Sequence, residues 1–173
     1  MKNTIKYIGA FIVVILIAVC FLYFNNNIGI SKSNIEKDAR YSHKIKDTWD
    51  VAKDTTESMS AMIFYSEDFA DHTFSIYVNR PGLSFGYFFR GGGSVTETEK
   101  YIAEIYIEGF NERAFVSMNK QQVSKVEIDD GNEVQTIKID SEKPFALILP
   151  ANAGNVTIYD INGNIVESVQ HKI

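Results

Sequence analysis

The chain opens with an unbroken apolar run and then changes to short alternating segments. Ile5 to Phe24 reads IKYIGAFIVVILIAVCFLYF, twenty residues in which Lys6 is the only charge. At about 1.5 Å per residue, twenty helical residues cross the roughly 30 Å hydrocarbon core of a bilayer. Tyr7 and Tyr23 lie near its two ends, where amphipathic rings favour the interface, and Asn25-Asn26-Asn27 closes the run. The pattern predicts one transmembrane helix over residues 5–24 behind a four-residue tail. Two rivals share this signature. A cleavable signal has a shorter apolar core and ends in small residues, whereas Phe21-Leu22-Tyr23-Phe24 prolongs this one. Ile17-Ala18-Val19-Cys20 resembles a lipobox with Cys20 as the lipidated residue, but Val19 is not small and more apolar chain follows.

Residues 25–56 are polar. Ile35, Ala39, Ser42, Ile45, Trp49 and Ala52 recur at intervals of three and four, which predicts a juxtamembrane stalk helix with a weak apolar stripe. From residue 57 the period becomes two. In His72–Asn79 the residues Phe74, Ile76 and Val78 share one face, and Thr73, Ser75, Tyr77 and Asn79 the other. Met59–Tyr65 precedes that strand, and Leu83–Arg90 follows after a turn at Arg80-Pro81-Gly82. Further strands are expected at 101–107, 113–118, 123–129, 134–140, 145–149, 156–159 and 165–169. Gly91-Gly92-Gly93 reads as a loose connection. Thr96 and Glu99 have capping-box spacing ahead of Gly109, yet Tyr101, Ala103, Ile105 and Ile107 alternate, and a strand is the expected outcome. Asp130-Gly131 and Asn162-Gly163 are hairpin turn signals. The expected fold is mainly β, an antiparallel β-sandwich of immunoglobulin-like or fibronectin-like architecture or a barrel, over residues 57–173.

Charge narrows the function. With 22 acidic and 17 basic residues among 173, the net charge of −5 argues against nucleic-acid binding. Lys2, Lys6 and the α-amino group crowd the start, and the next basic residue beyond the apolar run is Lys32. The nearness of these charges favours an inside N-terminus, leaving 15 basic and 22 acidic residues, a net −7, outside the cytoplasm. One Cys closes no intrachain disulfide and builds no multi-thiolate site. Abundant Lys, Ile and Asn with four Arg points to a low-GC bacterial source.

Two groups of residues bear on chemistry. Glu67, Asp68, Asp71 and His72 cluster between two strands and carry oxygen and imidazole groups suited to a cation, or else cap a solvated turn. In Leu83–Arg90, alternation places Phe85, Tyr87 and Phe89 on one face, and Phe88 and Arg90 on the other. Phe88 and Arg90, joined by Tyr77 from the preceding strand, form the expected binding patch, since aromatic and Arg residues are enriched at interaction hot spots. No nucleophile elbow or phosphate loop is present, and no cofactor is expected. The reading is therefore a single-pass plasma-membrane protein whose extracytoplasmic β domain is a non-catalytic binding module for an envelope protein or polymer. An envelope enzyme using the loop carboxylates, and a structural subunit of a membrane assembly, are the alternatives.

Overall fold

Both sides of strand Met59–Tyr65 are covered, and the whole fold is arranged around that fact. The computed structural model describes residues 2–25, 27–80, 84–94, 98 and 100–173. The expected turn at Pro81-Gly82, the start of the strand expected from Leu83, and the Thr96/Glu99 pair lie outside the described residues.

Helix α1 (Lys2–Phe24) is the only described helix long and apolar enough to cross a membrane, with mean hydropathy 2.8 over Tyr7–Phe24. A 3-10 turn (Lys32–Asn34) leads into α2 (Ile35–Ser42). Eleven strands follow among the described residues. They are β1 (Asp50–Thr55), β2 (Met59–Tyr65), β3 (His72–Asn79), β4 (Tyr87–Gly93), β5 (Ile102–Tyr106), β6 (Glu112–Ser117), β7 (Val123–Asp129), β8 (Val134–Lys138), β9 (Phe145–Pro150), β10 (Asn155–Asp160) and β11 (Ser168–Lys172).

Three sheets result. The first runs β1-β2-β3-β4, the second β10-β7-β8 and the third β11-β5-β6-β9; all are antiparallel except for β11, which joins β5 in parallel. None of the sheets closes into a barrel among the described residues.

Three apolar clusters follow from strand parity. Met59, Ala61, Ile63, Phe74, Ile76 and Val78 of the first sheet meet Ala103, Ile105, Ala114, Val116 and Ile148 of the third. Ile102, Phe115 and Leu149, on the opposite parity of the third sheet, meet Val123, Val126 and Ile158 of the second. Met62, Phe64, Tyr77 and Tyr87 of the first sheet meet Ile35 and Ala39 of α2. Polar links tie the sheets as well. Glu112 Oε2 accepts from Thr56 Oγ1 at 2.7 Å and Ser58 Oγ at 2.5 Å, and Asp54 Oδ2 accepts from the Ile148 amide at 2.8 Å.

Several expectations are corrected. The helical stripe breaks after Ser42, because Lys44 takes φ 53°. Ile45 and Trp49 still reach the α2 cluster, but from a loop, and Ala52 lies in β1 against the cluster shared by the first and third sheets. The sheet thus begins at Asp50, ahead of residue 57. Gly91–Gly93 is strand, not a loose connection. Ile173 and the His43 ring pack where side chains on Gly91 and Gly92 would stand. Both turn signals form hairpins, with Gly131 at φ 89° and Gly163 at φ 82°. After the second, Ile165 makes a single bridge to Tyr159, and the chain then departs for β5.

Candidate binding surface

A β-bulge between Ile76 and Tyr77 sets which aromatic faces which way. Past the bulge Tyr77 pairs with Phe89, and Val78 with Phe88. Cross-strand partners share a face. Tyr77 therefore does not join Phe88 and Arg90 on a surface; it is fully buried against α2. Its hydroxyl donates to Asp38 Oδ2 at 2.7 Å. Burial, reinforced by that carboxylate, pushes the Tyr77 phenol well above its ordinary value.

Phe88 is half-buried, with the Arg80 guanidinium 4.1 Å from its ring centre. Arg90 is exposed. Phe89, which alternation groups with Phe85 and Tyr87, is 46 % exposed. Its ring meets Tyr77 edge-on with centroids 5.5 Å apart, and His43, just past α2, with centroids 5.3 Å apart. Phe89 is thus exposed yet contacted by rings on two sides. Beyond Tyr87, β4 is the outer strand of its sheet, and Phe89–Gly93 have no ladder partner on the open side among the described residues.

Beside it lies a cleft of about 540 Å³ lined by Gly29, Ile30, Ser31, Lys37, Asp38 and Tyr41. Ile30 exchanges two backbone hydrogen bonds with Tyr87, both 2.8 Å, so the cleft is held to the first sheet. Tyr77 reaches this cleft only through Asp38. Sequence parity missed both Phe89 and the cleft. A bulge leaves no mark in the alternation, and the cleft depends on a contact between segments more than fifty residues apart.

No family model, curated protein or solved structure matches this chain.

The acidic loop is arranged differently. Asp68 Oδ1 accepts from Ser66 Oγ at 2.6 Å and from the Ala70 amide at 3.2 Å. Those bonds hold its carboxyl below the usual range. The Asp71 amide donates to Ser66 Oγ at 3.0 Å. His72 Nε2 turns to Thr98 Oγ1, 3.0 Å away. Glu67 and Asp68 line an open depression of about 590 Å³ with Lys46, Thr48 and Trp49, but Asp71 and His72 do not. Among the described residues no three His, Cys, Asp or Glu side chains are grouped to hold a metal ion.

One charged cluster was not anticipated. Glu104 on β5, 4 % exposed, accepts from Arg113 Nη1 at 2.7 Å, Tyr106 Oη at 2.5 Å and Ser168 Oγ at 2.6 Å. Burial works to raise its pKa, but the bonds from Ser168 and Tyr106 and the charge of Arg113 outweigh it and hold Glu104 below the usual carboxylate range. Every partner is supplied by β5, β6 or β11, so the cluster fastens β11 to its sheet.

Proposed function

We propose that the chain is a single-pass membrane protein whose β domain, built as a sandwich of the first and third sheets, is a non-catalytic binding module outside the cytoplasm. The observation that carries this reading is Phe89, exposed yet held by Tyr77 and His43, beside the exposed Arg90 on an open strand edge. Aromatic and Arg side chains of this kind dominate binding energy at interfaces. An open edge offers backbone N–H and C=O groups to an extended peptide, which would add as a further strand. The partner we infer is therefore an extended polypeptide segment of an envelope protein. Charge placement supports an inside N-terminus, with Lys2 ahead of the span and Lys6 at its first edge. The loop of Glu67, Asp68, Asp71 and His72 lends the enzyme alternative no convergent ligand set among the described residues.

The test is site-directed photocrosslinking in intact cells, with a benzophenone amino acid at position 89 or at exposed position 134 on β8. Protease shaving of a parallel sample reads the topology. We expect one protein to crosslink from position 89 and not from 134. Phe89→Ser combined with Arg90→Glu should abolish partner capture while the melting curve is retained. Equal crosslinking from both positions, or unchanged capture by the double variant, overturns the surface. Protection of the domain from protease overturns the topology.

A further inference from the structure

Asn27 joins the end of α1 to the β domain through two hydrogen bonds. Its amide donates to the Leu22 carbonyl in the last turn of the helix at 2.9 Å, and its carbonyl accepts from the Phe85 amide at 2.8 Å. The Phe85 carbonyl in turn accepts from Gly29 at 2.6 Å, and Ile28 and Phe85 form a bridge. Gly29 permits this approach, since a Cβ there would stand 2.6 Å from the Tyr87 carbonyl oxygen. The segment just ahead of β4 is thus fixed to the helix end, not left at the far end of a tether.

The geometry points to a lipid-docking surface formed by Ile28 and Phe85, which seats the β domain directly on the outer leaflet. This inference rests on the proposed membrane-spanning role of α1. If α1 spans the bilayer, three residues past its end reach no more than about 11 Å. The interfacial zone on each side of the hydrocarbon core is about 5 to 8 Å deep, so residues 27 and 85 fall at its depth or just beyond.

The surface there matches that depth. Ile28 is 46 % exposed and Phe85 59 % exposed. Tyr23 and Phe24 at the helix end are exposed too. Residues 25–31 and 84–89 contain no ionisable acid or base apart from Tyr87, whose hydroxyl is buried on the Thr56 carbonyl. These two segments carry no charge of their own to desolvate, although the Arg80 guanidinium lies against Phe88, and an aromatic ring is favoured at the boundary. A lipid surface is the occupant favoured by continuity with the span. A second copy of the chain is the outcome the test must separate.

Cys20 is the only cysteine, so single nitroxide labels are readily placed in the full chain. With Cys20→Ser as background, labels go on Ile28→Cys, Phe85→Cys and, as a control on β8, Val134→Cys. Each is reconstituted in phosphatidylcholine vesicles, and collision rates with oxygen and with a water-soluble nickel complex are measured. A label on Cys20 itself reports whether α1 is in the bilayer. We expect the oxygen-to-nickel ratio at 28 and 85 to exceed that at 134 several-fold and to lie below that at 20. A high ratio at 20 with water-like ratios at 28 and 85 overturns the docking surface while the span stands. A water-like ratio at 20 overturns both. Spin–spin broadening at 85 that disappears on dilution with unlabelled chain, without lipid contact, assigns the surface to a second copy and also overturns it. Should either cysteine variant fail to fold, Phe85→Trp in a Trp49→Phe background with nitroxide-lipid quenching reads the same depth.

Discussion

The phenol of Tyr77 donates to Asp38 Oδ2 at 2.7 Å, across the junction between the first sheet and α2. Tyr77 has no exposed surface, so the bond is made where water does not compete freely. It is a buried polar tie beside the apolar contact of Ile35 and Ala39 with Met62, Phe64 and Tyr87, and the Glu36–Lys53 ion pair at 2.6 Å joins α2 to β1 nearby.

Tyr77→Phe should cost about 1.5 kcal/mol, the range for a hydrogen bond to a charged group. A pH signature accompanies the loss. Because folding raises the Tyr77 pKa, its contribution is complete below the ordinary value of 10.0 and is lost as pH climbs from there toward the folded value. Denaturant midpoints between pH 8 and pH 11 check this: the gap between wild type and Tyr77→Phe should narrow at the alkaline end. A constant gap would mean that the phenol is not the titrating group.

Glu104 has the opposite sign. Its folded pKa is lowered, so the stabilisation is present above the ordinary value of 4.5 and is lost as pH falls through the folded value. Glu104→Ala strands Arg113, whose side chain is 13 % exposed, and should cost about 3 to 5 kcal/mol. Ser168→Ala removes one donor and should cost about 1 kcal/mol. Hydrogen exchange at residues 168–172 distinguishes a local from a general effect. In Ser168→Ala those amides should exchange faster while the β2 amides keep their protection.

Asn119 is a buried staple. Its Nδ2 donates to the carbonyls of Val123, Asp140 and Lys143 at 3.3, 3.0 and 3.1 Å, while Oδ1 accepts from the Val123 amide at 2.7 Å. The residue also takes φ 55°, which Asn tolerates better than most. Asn119→Ala leaves these buried groups unsatisfied and should cost at least about 2 kcal/mol. Asn119→Asp replaces the donor by a charged acceptor facing three carbonyls and should be worse. Urea unfolding of both variants checks the order, and an Asp variant as stable as the Ala one would contradict the assigned amide orientation.

Much of this was legible where one face of a strand is apolar and the other is not. In β3, Phe74, Ile76 and Val78 all enter the core, as alternation requires. Strand β2 gave less, because Met59 to Tyr65 are buried on both faces and no alternation survives. The candidate surface was legible in part: the aromatic-Arg segment stood out, but Tyr77 is buried opposite Phe89 and does not lie beside Phe88 and Arg90, since one extra residue at the bulge reassigns each partner. Gly91–Gly93 reads as a loop by composition and is strand, paired with Phe74–Ile76, with Ile173 and His43 reaching Gly91 and Gly92 from distant parts of the chain. The Glu104 cluster was hidden for the same reason, its partners lying nine and 64 residues away.

Strand β6 lends alternate side chains to two cores. Ala114 and Val116 belong to one, Phe115 between them to the other. Neither core can release the strand without disturbing its neighbour, so the two apolar centres are coupled through it. Strands β5 and β9 divide their side chains between the same two cores, whereas β8 stands at the margin, exposed along nearly its whole length. The edge strand β4, paired to β3, is thereby backed by both cores and not by its own sheet alone.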